Sequence, residues 1–188
     1  MKTLRKTAEE AYLKYANKII NRETWIDGFI SGIQYKKEYP QSIELCGLLW
    51  DTENLAIGGY EKDGHHYYTW QEAMDAAKTV GKRLPTWQEL KALCDLGSTW
   101  DDKRKGRWFG GNHDSDHNGS LFLPAAGLRS NNSGELAYTS SFGYYWSSSP
   151  NYGGNNHAGY LNFYSGSVYP LYYSGRAYGF SVRCVQNK

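Results

Sequence analysis

The chain of 188 residues has a formal net charge of +2, with acidic and basic residues in similar numbers. This length suits one domain with an appendage better than two full domains. The near balance of charge argues against nucleic acid as a partner. The sequence has neither an apolar run of about 18 residues nor a signal peptide, so we expect a soluble protein without membrane insertion.

Residues 1–40 are predicted to be an N-terminal helical extension, and residues 41–188 a separate domain. Thr7 and Glu10 form a capping-box pattern, apolar residues follow at helical spacing, and Pro40 ends the pattern. The apolar stripes of this extension could pack on the following domain or associate with other copies of the chain. A homo-oligomer through residues 1–40 is therefore one expectation.

Two helices are predicted in the middle of the chain, over residues 70–80 and 87–95. Thr69 with Glu72, and Thr86 with Glu89, are T-x-x-E capping boxes. Before them, apolar residues between 43 and 50 indicate a strand, and Asp63-Gly64 indicates a turn between two aromatic segments.

After Trp100 the sequence is rich in glycine and polar residues and is predicted to form mainly loops. Short strand-like pieces follow at residues 121–125, 143–147, 159–163 and 180–185. Helices early in the domain and a small antiparallel sheet late predict an α+β fold.

The segment from Gly143 to Val185 differs in composition from the rest of the chain. From Tyr144 onward it contains nine of the seventeen tyrosines, and Arg176 and Arg183 are its only charged residues. Tyr, Ser, Gly and Asn are typical of binding loops. The alternative is that the tyrosines are half-buried strand residues, which we expect of Tyr144 or Tyr145.

Six short motifs occur between residues 43 and 187. They are Trp50–Leu55, Tyr68–Trp70 with Ala73, Gly81–Thr86 with Glu89, Leu121–Gly127, Tyr145–Ser149 and Gly179–Arg183. In this order they resemble the Fibrobacter succinogenes major paralogous domains, which are similar to the formylglycine-generating-enzyme type of C-type lectin fold. The resemblance implies a loop-rich C-type lectin-like fold with two helices and a small twisted antiparallel sheet.

Residues 146–183 also resemble the variable region of the target proteins of diversity-generating retroelements, in which errors at adenines vary some codons. The frame that carries this resemblance is Trp146–Pro150, Leu161–Phe163, Ser165-Gly166, Val168, Pro170, Arg176 and Gly179–Arg183. Substitutions at the adenines of Asn codons do not produce Lys, Glu, Gln or Met, and residues 144–185 contain none of them. The resemblance makes the positions between frame residues the ligand-binding ones. They are Tyr152, Gly153, Gly154, Asn155, His157, Gly159, Tyr160, Tyr164, Ser167, Tyr169, Leu171, Tyr172, Tyr173, Ser174, Ala177 and Tyr178.

The frame residues are expected to hold the backbone. Trp146 and Phe180 should be buried, and Arg183 should pair or hydrogen-bond within the scaffold, because a buried arginine needs a partner. Leu161, Phe163, Val168 and Val182 are assigned to the same scaffold.

The two resemblances imply a non-enzymatic receptor-recognition protein whose ligand is a protein or a glycan on a cell surface. Phage receptor binding and bacterial surface display are both implied roles, so the location stays open between a virion, the bacterial cytoplasm and the bacterial surface. The alternatives are an enzyme of the formylglycine-generating class with an altered site, and an assembly protein that uses its N-terminal helices.

Catalytic and metal motifs are weak in this sequence. Asp114, Asp116 and Asn118 match the first half of a calcium loop, but Ala125 occupies the position that needs a bidentate carboxylate. His65-His66 and His113 with His117 are expected to be turn residues rather than metal ligands. No cofactor is predicted.

Cys46, Cys94 and Cys184 show no zinc spacing and no pairing typical of the enzyme family. Free thiols are expected, with a Cys46–Cys184 bridge as the alternative.

Overall fold

The computed structural model describes residues 42–111, 119–151 and 156–188. The predicted helices of residues 1–40 lie outside the described residues. The described part is mostly β, with thirteen strands in five small sheets and two helices. The predicted α+β C-type lectin-like fold is therefore wrong for the described residues.

Both predicted helices are confirmed, and hydrogen bonds at their ends determine where they begin and where the first one stops. Helix α1 is Trp70–Thr79, and helix α2 is Trp87–Asp95. At each start, the threonine side chain accepts a hydrogen bond from the glutamate N–H, and the glutamate side chain accepts one from the threonine N–H. After α1, Gly81 has φ +72° and its N–H donates to the Lys78 carbonyl, which ends the helix.

The strands are short and pair only in antiparallel fashion. They are β1 Ser42–Leu45, β2 Leu48–Asp51, β3 Tyr60–Lys62, β4 His65–Tyr67, β5 Ser98–Asp101, β6 Gly106–Gly110, β7 Ser120–Pro124, β8 Leu128–Arg129, β9 Leu136–Ala137, β10 Phe142–Pro150, β11 His157–Tyr164, β12 Val168–Gly175 and β13 Val185–Asn187. Three sheets have three strands each, in the orders β1-β2-β13, β5-β6-β7 and β10-β11-β12. The pairs β3-β4 and β8-β9 form the other two.

Two hairpins have two-residue turns in which both residues adopt positive φ. Asp63 and Gly64, with φ of +53° and +77°, connect β3 to β4 and confirm the predicted turn. Cys46 and Gly47, with φ of +53° and +75°, connect β1 to β2. The single strand predicted over residues 43–50 is therefore a hairpin, because such a turn reverses the chain within two residues.

The largest error in the strand prediction follows Trp100. The chain after Trp100 is predicted to form mainly loops, but β5 extends to Asp101 and Gly106–Gly110 forms β6. Glycine is required at position 106 for packing, because an added Cβ would lie 2.5 Å from both the Leu123 carbonyl oxygen and the Phe122 ring. In the sequence, a glycine that lets two strands approach closely cannot be distinguished from a glycine that allows a turn.

The predicted strand at residues 180–185 is only partly correct. β13 begins at Val185, while Phe180 and Ser181 form isolated bridges with Tyr68 and Tyr145. The predicted strands at 121–125, 143–147 and 159–163 correspond to β7, β10 and β11.

Two buried clusters hold the described residues together. One contains Trp50, Phe109, Tyr145 and Phe163 with Leu90 and Leu93 of α2. The other packs Tyr68, Leu84, Trp146, Phe180 and Val182 against α1. The scaffold predictions for Trp146, Leu161, Phe163, Phe180 and Val182 are confirmed, since each is at most 1% exposed. Val168 is partly buried against the first cluster.

Arg183 is buried and hydrogen-bonded, as predicted. Its side chain is 2% exposed and donates to Asn54 Oδ1 from Nε and Nη2 and to the Asp51 carbonyl from Nη1. Asp51 also forms a buried ion pair with Lys82. The arginine thus ties the C-terminal segment to the loop after β2, since a buried guanidinium is tolerated only with partners of this kind.

Candidate functional site

Sheet β10-β11-β12 carries most of the tyrosines of the C-terminal segment. Its register places Phe142 opposite Tyr164, Trp146 opposite Tyr160, and Tyr160 opposite Tyr172. Because side chains on directly paired residues project to the same face, these pairs stack aromatic rings across three strands.

A bulge in β12 determines which tyrosines share that face. Tyr160 pairs with Tyr172 and Asn162 pairs with Tyr169, so two steps on β11 match three steps on β12. In a regular strand, residues three apart project to opposite faces. The extra residue brings Tyr169 and Tyr172 to the same face, where their ring centroids lie 5.2 Å apart.

Eight aromatic side chains form one continuous surface, which we call the aromatic face. Neighbouring rings along it lie 5.2 to 6.4 Å apart between centroids. Tyr160 and Tyr178 also contact Phe180, which is stacked on Trp146 at 4.2 Å. The members of the aromatic face are Tyr138, Phe142, Tyr144, Tyr160, Tyr164, Tyr169, Tyr172 and Tyr178.

The aromatic face is partly open to solvent and contains no charged residue. Tyr138, Tyr169 and Tyr172 are 57%, 36% and 45% exposed, and the other five members are partly buried. Exposed large aromatic residues that form a contiguous patch mark interaction sites on soluble proteins.

The hydroxyl groups of the aromatic face differ in acidity. Burial raises the pKa of Tyr144 to about 12, and the neighbouring Tyr160 and Tyr138 add to the shift. Burial also raises the pKa of Tyr160. At the open end of the face, the Ser167 hydroxyl lowers the pKa of Tyr164, while the hydrogen bond with Tyr164 raises that of Tyr169. The raised pKa values keep the Tyr144 and Tyr160 hydroxyls protonated at neutral pH, so that both can donate and accept hydrogen bonds.

A comparison with known families agrees with a recognition role for this chain. Residues 44–186 match the sequence model described as the Lcl C-terminal domain, which covers more than half of the chain. The chain belongs to the Lcl C-terminal domain family. Membership suggests a ligand-binding or recognition role. No curated protein and no solved structure matches the chain.

The structure places the predicted ligand-binding residues of this Lcl C-terminal domain in four groups. His157, Tyr169, Tyr172, Tyr173 and Ala177 are exposed. Gly159 is buried. Tyr152, Gly153, Gly154 and Asn155 lie outside the described residues. The partly buried group is Tyr160, Tyr164, Ser167, Leu171, Ser174 and Tyr178.

Gly159 lies inside the sheet and not on its surface. A Cβ added there would lie 2.9 Å from Ser147 Oγ and 3.2 Å from Leu171 Cδ1. Ser147 is buried and donates its hydroxyl to the Gly159 carbonyl at 2.8 Å. Side chains of the Lcl C-terminal domain itself therefore fill the space beside Gly159.

Tyr172 and Tyr173 have nearly equal exposure but lie on opposite faces of β12. Adjacent strand residues alternate, and Leu171, on the same side as Tyr173, contacts the Cβ position of Gly159. Tyr172 lies on the aromatic face with Tyr160. The sequence predicts both as ligand-binding, and both assignments stay predictions.

Sequence reasoning missed three members of the aromatic face. Tyr138 precedes the tyrosine-rich segment that begins at Gly143 and adopts φ +60°. Phe142, Tyr144 and Trp146 occupy every second position of β10. This period of two could have identified Phe142 and Tyr144 as residues of one face. The prediction of core strand residues is confirmed for Tyr145, which is 1% exposed, and Tyr144 is half-buried.

The residues proposed for metal chemistry are mostly outside the described residues. Asp114, Asp116 and Asn118, as well as His113 and His117, belong to that part. His65 and His66 lie in β4, where His66 Nδ1 is 2.8 Å from the Gly58 carbonyl oxygen. Among the residues that the structure does describe, no group of three His, Cys, Asp or Glu side chains could hold a metal ion.

The three cysteines are free thiols, so the alternative bridge between Cys46 and Cys184 does not form in this structure. Cys184 is fully buried, and burial raises its pKa to about 12, as it does for Cys94. A protonated, buried thiol is a poor nucleophile.

No helix in the described ranges is long and apolar enough to cross a membrane.

Proposed function

We propose that this Lcl C-terminal domain is a non-enzymatic recognition module and that the aromatic face is its ligand contact. The observation that carries the proposal is the unbroken set of ring contacts among seven aromatic residues on one side of sheet β10-β11-β12, to which Tyr178 is joined through Phe180. Tyrosine gives a large amphipathic contact area at low entropic cost. Clustered aromatic anchors are typical of interface hot spots.

The proposed ligand is a protein or glycan on a cell surface, with phage receptor binding and bacterial surface display as the two roles. The face offers apolar ring surface and neutral hydroxyl groups, and both peptide side chains and sugar rings can use such groups. It offers no lysine or arginine for phosphates, so nucleic acid is not proposed as a partner.

The burial of the frame residues, compared with the candidate positions between them, supports a more specific proposal. It is that the C-terminal segment is diversified by a retroelement. Gly159 is the single buried member of the candidate positions that the structure describes. The exposed frame residues Ser165 and Gly166 make the turn between β11 and β12, where Tyr164 N–H donates to the Ser167 carbonyl. Ten frame residues are buried: Trp146, Ser147, Leu161, Asn162, Phe163, Gly179, Phe180, Ser181, Val182 and Arg183.

The neighbouring DNA tests the diversification directly. We expect a near-copy of the codons for residues 144–185 that differs from the gene at adenines and lies close to a reverse transcriptase gene. Absence of both elements from the genomic neighbourhood would refute diversification and leave the recognition proposal intact.

Absence of enzymatic activity is part of the proposal. Both Cys94 and Cys184 have their pKa raised to about 12, chiefly by burial, which disfavours thiolate chemistry.

Residues 1–40 are proposed to make a homo-oligomer. Light scattering on a chain without them should show fewer subunits per particle, and an unchanged number of subunits would refute that role.

The recognition proposal is tested by binding of the fluorescently labelled full chain to a panel of bacterial cells. Matched samples are untreated, protease-treated or oxidised with periodate. We expect saturable binding that one of the two treatments removes, which assigns the ligand to protein or glycan. Binding that is not saturable, or that survives both treatments, would contradict the proposal.

A further inference from the structure

A positive charge lies at the end of β12, next to the aromatic face. Side chains alternate along a strand, so Ser174 lies on the same side of β12 as Tyr172. Arg176 is the next residue in this alternation, and its N–H donates to the Asn156 carbonyl at 2.9 Å. The row of side chains that contains Tyr172 therefore continues to an arginine.

A tight turn places Arg176 beside Tyr178, which is a member of the aromatic face. The turn begins at Gly175, whose carbonyl accepts a hydrogen bond from the Tyr178 N–H at 3.1 Å. The first and last Cα atoms of such a four-residue turn lie less than about 7 Å apart. A Cβ added at Gly175 would lie 3.9 Å from Tyr178 Cδ2, so the tyrosine ring lies against the turn. One ligand can therefore contact both Tyr178 and Arg176.

The Arg176 side chain is held in position from below and from one side. Its guanidinium carbon lies 4.3 Å from the Trp70 ring centroid, and its Nε donates to the His157 carbonyl at 3.1 Å. Trp70 is fixed in turn, because its Nε1 donates to the Ser147 carbonyl at 2.8 Å and its N–H donates to the Arg176 carbonyl at 2.9 Å. A guanidinium restrained in this way loses less side-chain entropy when it binds a ligand.

The two terminal nitrogens of Arg176 are available to a ligand. Within residues 42–111, 119–151 and 156–188, Nε is its one side-chain nitrogen that donates a hydrogen bond, and no acidic residue forms an ion pair with it. The side chain is partly exposed, whereas Arg183, the other charged residue between Tyr144 and Val185, is buried. The planar fork of a guanidinium matches the two oxygens of a carboxylate.

The packing of the rings favours a protein over a glycan as the ligand. Tyr144 is stacked with both Phe142 and Tyr160, at interplanar angles of 26° and 28° and centroid distances of 6.2 and 5.9 Å. Rings this close and this nearly parallel overlap their faces rather than lie side by side. A sugar ring needs a free aromatic face for stacking, whereas protein side chains also pack on ring edges. Tyr and Arg are both enriched in the hot spots of protein interfaces.

We infer that the ligand of the aromatic face is a protein segment with an acidic side chain, and that Arg176 binds its carboxylate. Apolar side chains of the same segment pack on the neighbouring Tyr172 and Tyr178. The inference rests on the proposed function, since it takes the aromatic face as the contact and adds the chemistry of the partner.

The test begins by selecting peptides from a library of random short peptides, displayed on phage, against the immobilised full chain. Clones that lose binding to the double variant Tyr169→Ser, Tyr172→Ser are kept, because these peptides contact the aromatic face. We expect the kept peptides to be enriched in Asp and Glu relative to the unselected library.

A double-mutant cycle with one synthetic peptide from this set then identifies the partner of the acidic residue. On the unchanged chain, replacing that residue by its amide should weaken binding about tenfold or more, the cost of a lost charge-assisted hydrogen bond. On Arg176→Gln, the acidic peptide and its amide form should bind equally. Lys78→Gln is the matched control, because it removes one positive charge from the exposed last turn of α1. It should retain the difference between the two peptides.

Three outcomes would overturn the inference. Kept peptides without acidic enrichment, or a preference for the acidic peptide that persists in Arg176→Gln, would do so and leave the proposed contact intact. Absence of any peptide that requires Tyr169 and Tyr172 would show that the face does not hold a protein segment, and would leave a glycan as its ligand. Thermal unfolding shows whether Arg176→Gln is folded. If it is not, Arg176→Met, which keeps a long unbranched side chain over Trp70, takes its place in the cycle.

Discussion

At the scale of single residues, tyrosine has two different roles in this domain, as a buried core residue and as an exposed surface residue. Tyr145 is buried and donates its hydroxyl to the Pro124 carbonyl at 2.8 Å. Tyr172, on the next-but-one strand of the same sheet, is 45% exposed. The sequence alone could not show which of the two tyrosines is buried, because the residue type is the same. Only the strand register decides which side chain faces the core.

Gly159 gives a prediction at this scale. Gly159→Ala should lower the free energy of unfolding by about 1 to 3 kcal/mol, because the new methyl group overpacks the site beside Ser147 and Leu171. Chemical denaturation measures the change. Gly175→Ala is the matched control in the same sheet, since its added Cβ would meet Tyr178 Cδ2 at 3.9 Å, an ordinary contact. Equal stability of the two variants would contradict the buried placement of Gly159.

At the scale of elements, local signals predicted the helices and one hairpin well. A capping box or an Asp-Gly turn acts within four residues, so sequence spacing contains the necessary information. Strand β5 and the glycine-containing strand β6 were missed, and the predicted sheet arrangement was wrong. The bulge in β12 was also beyond prediction, because it depends on the pairing of β11 and β12 rather than on β12 alone.

The capping boxes give a prediction at the scale of elements. Thr86→Ala should lower the free energy of unfolding by about 1 kcal/mol, because the Glu89 N–H loses its side-chain acceptor at the start of α2. Thr79→Ala makes the same change at the exposed C-terminal end of α1, where the hydroxyl only donates to the Ala76 carbonyl. Thermal or denaturant unfolding should show little effect of Thr79→Ala. A cost as large as that of Thr86→Ala would refute the capping argument.

At the scale of the whole molecule, the described residues include buried and half-buried tyrosines whose ionisation opposes folding. Burial raises the pKa of Tyr67, Tyr68, Tyr144 and Tyr145 from the ordinary value of 10 to about 12. The folded state therefore holds these protons more tightly than the unfolded state. Their contribution to stability is fully present below pH 10 and is lost as the pH rises towards 12.

Denaturant unfolding at several pH values between 8 and 12 checks this expectation. The free energy of unfolding should begin to fall near pH 10, and absorbance at the tyrosinate band should show a late-titrating group. Tyr145→Phe should reduce the slope of this fall. A flat stability profile across this range would show that the four hydroxyls are not protected in the folded domain.

The aromatic face is the proposed ligand contact of the whole domain. The most direct measurement compares cell binding of the double variant Tyr169→Ser, Tyr172→Ser with that of Tyr173→Ser. Tyr172 and Tyr173 are adjacent and 45% and 44% exposed, so they differ chiefly in the face on which they lie. With thermal unfolding midpoints close to that of the unchanged chain, the double variant should lose at least about tenfold in affinity and Tyr173→Ser should retain it. Full binding by the double variant, or equal loss in Tyr173→Ser, would contradict the claim.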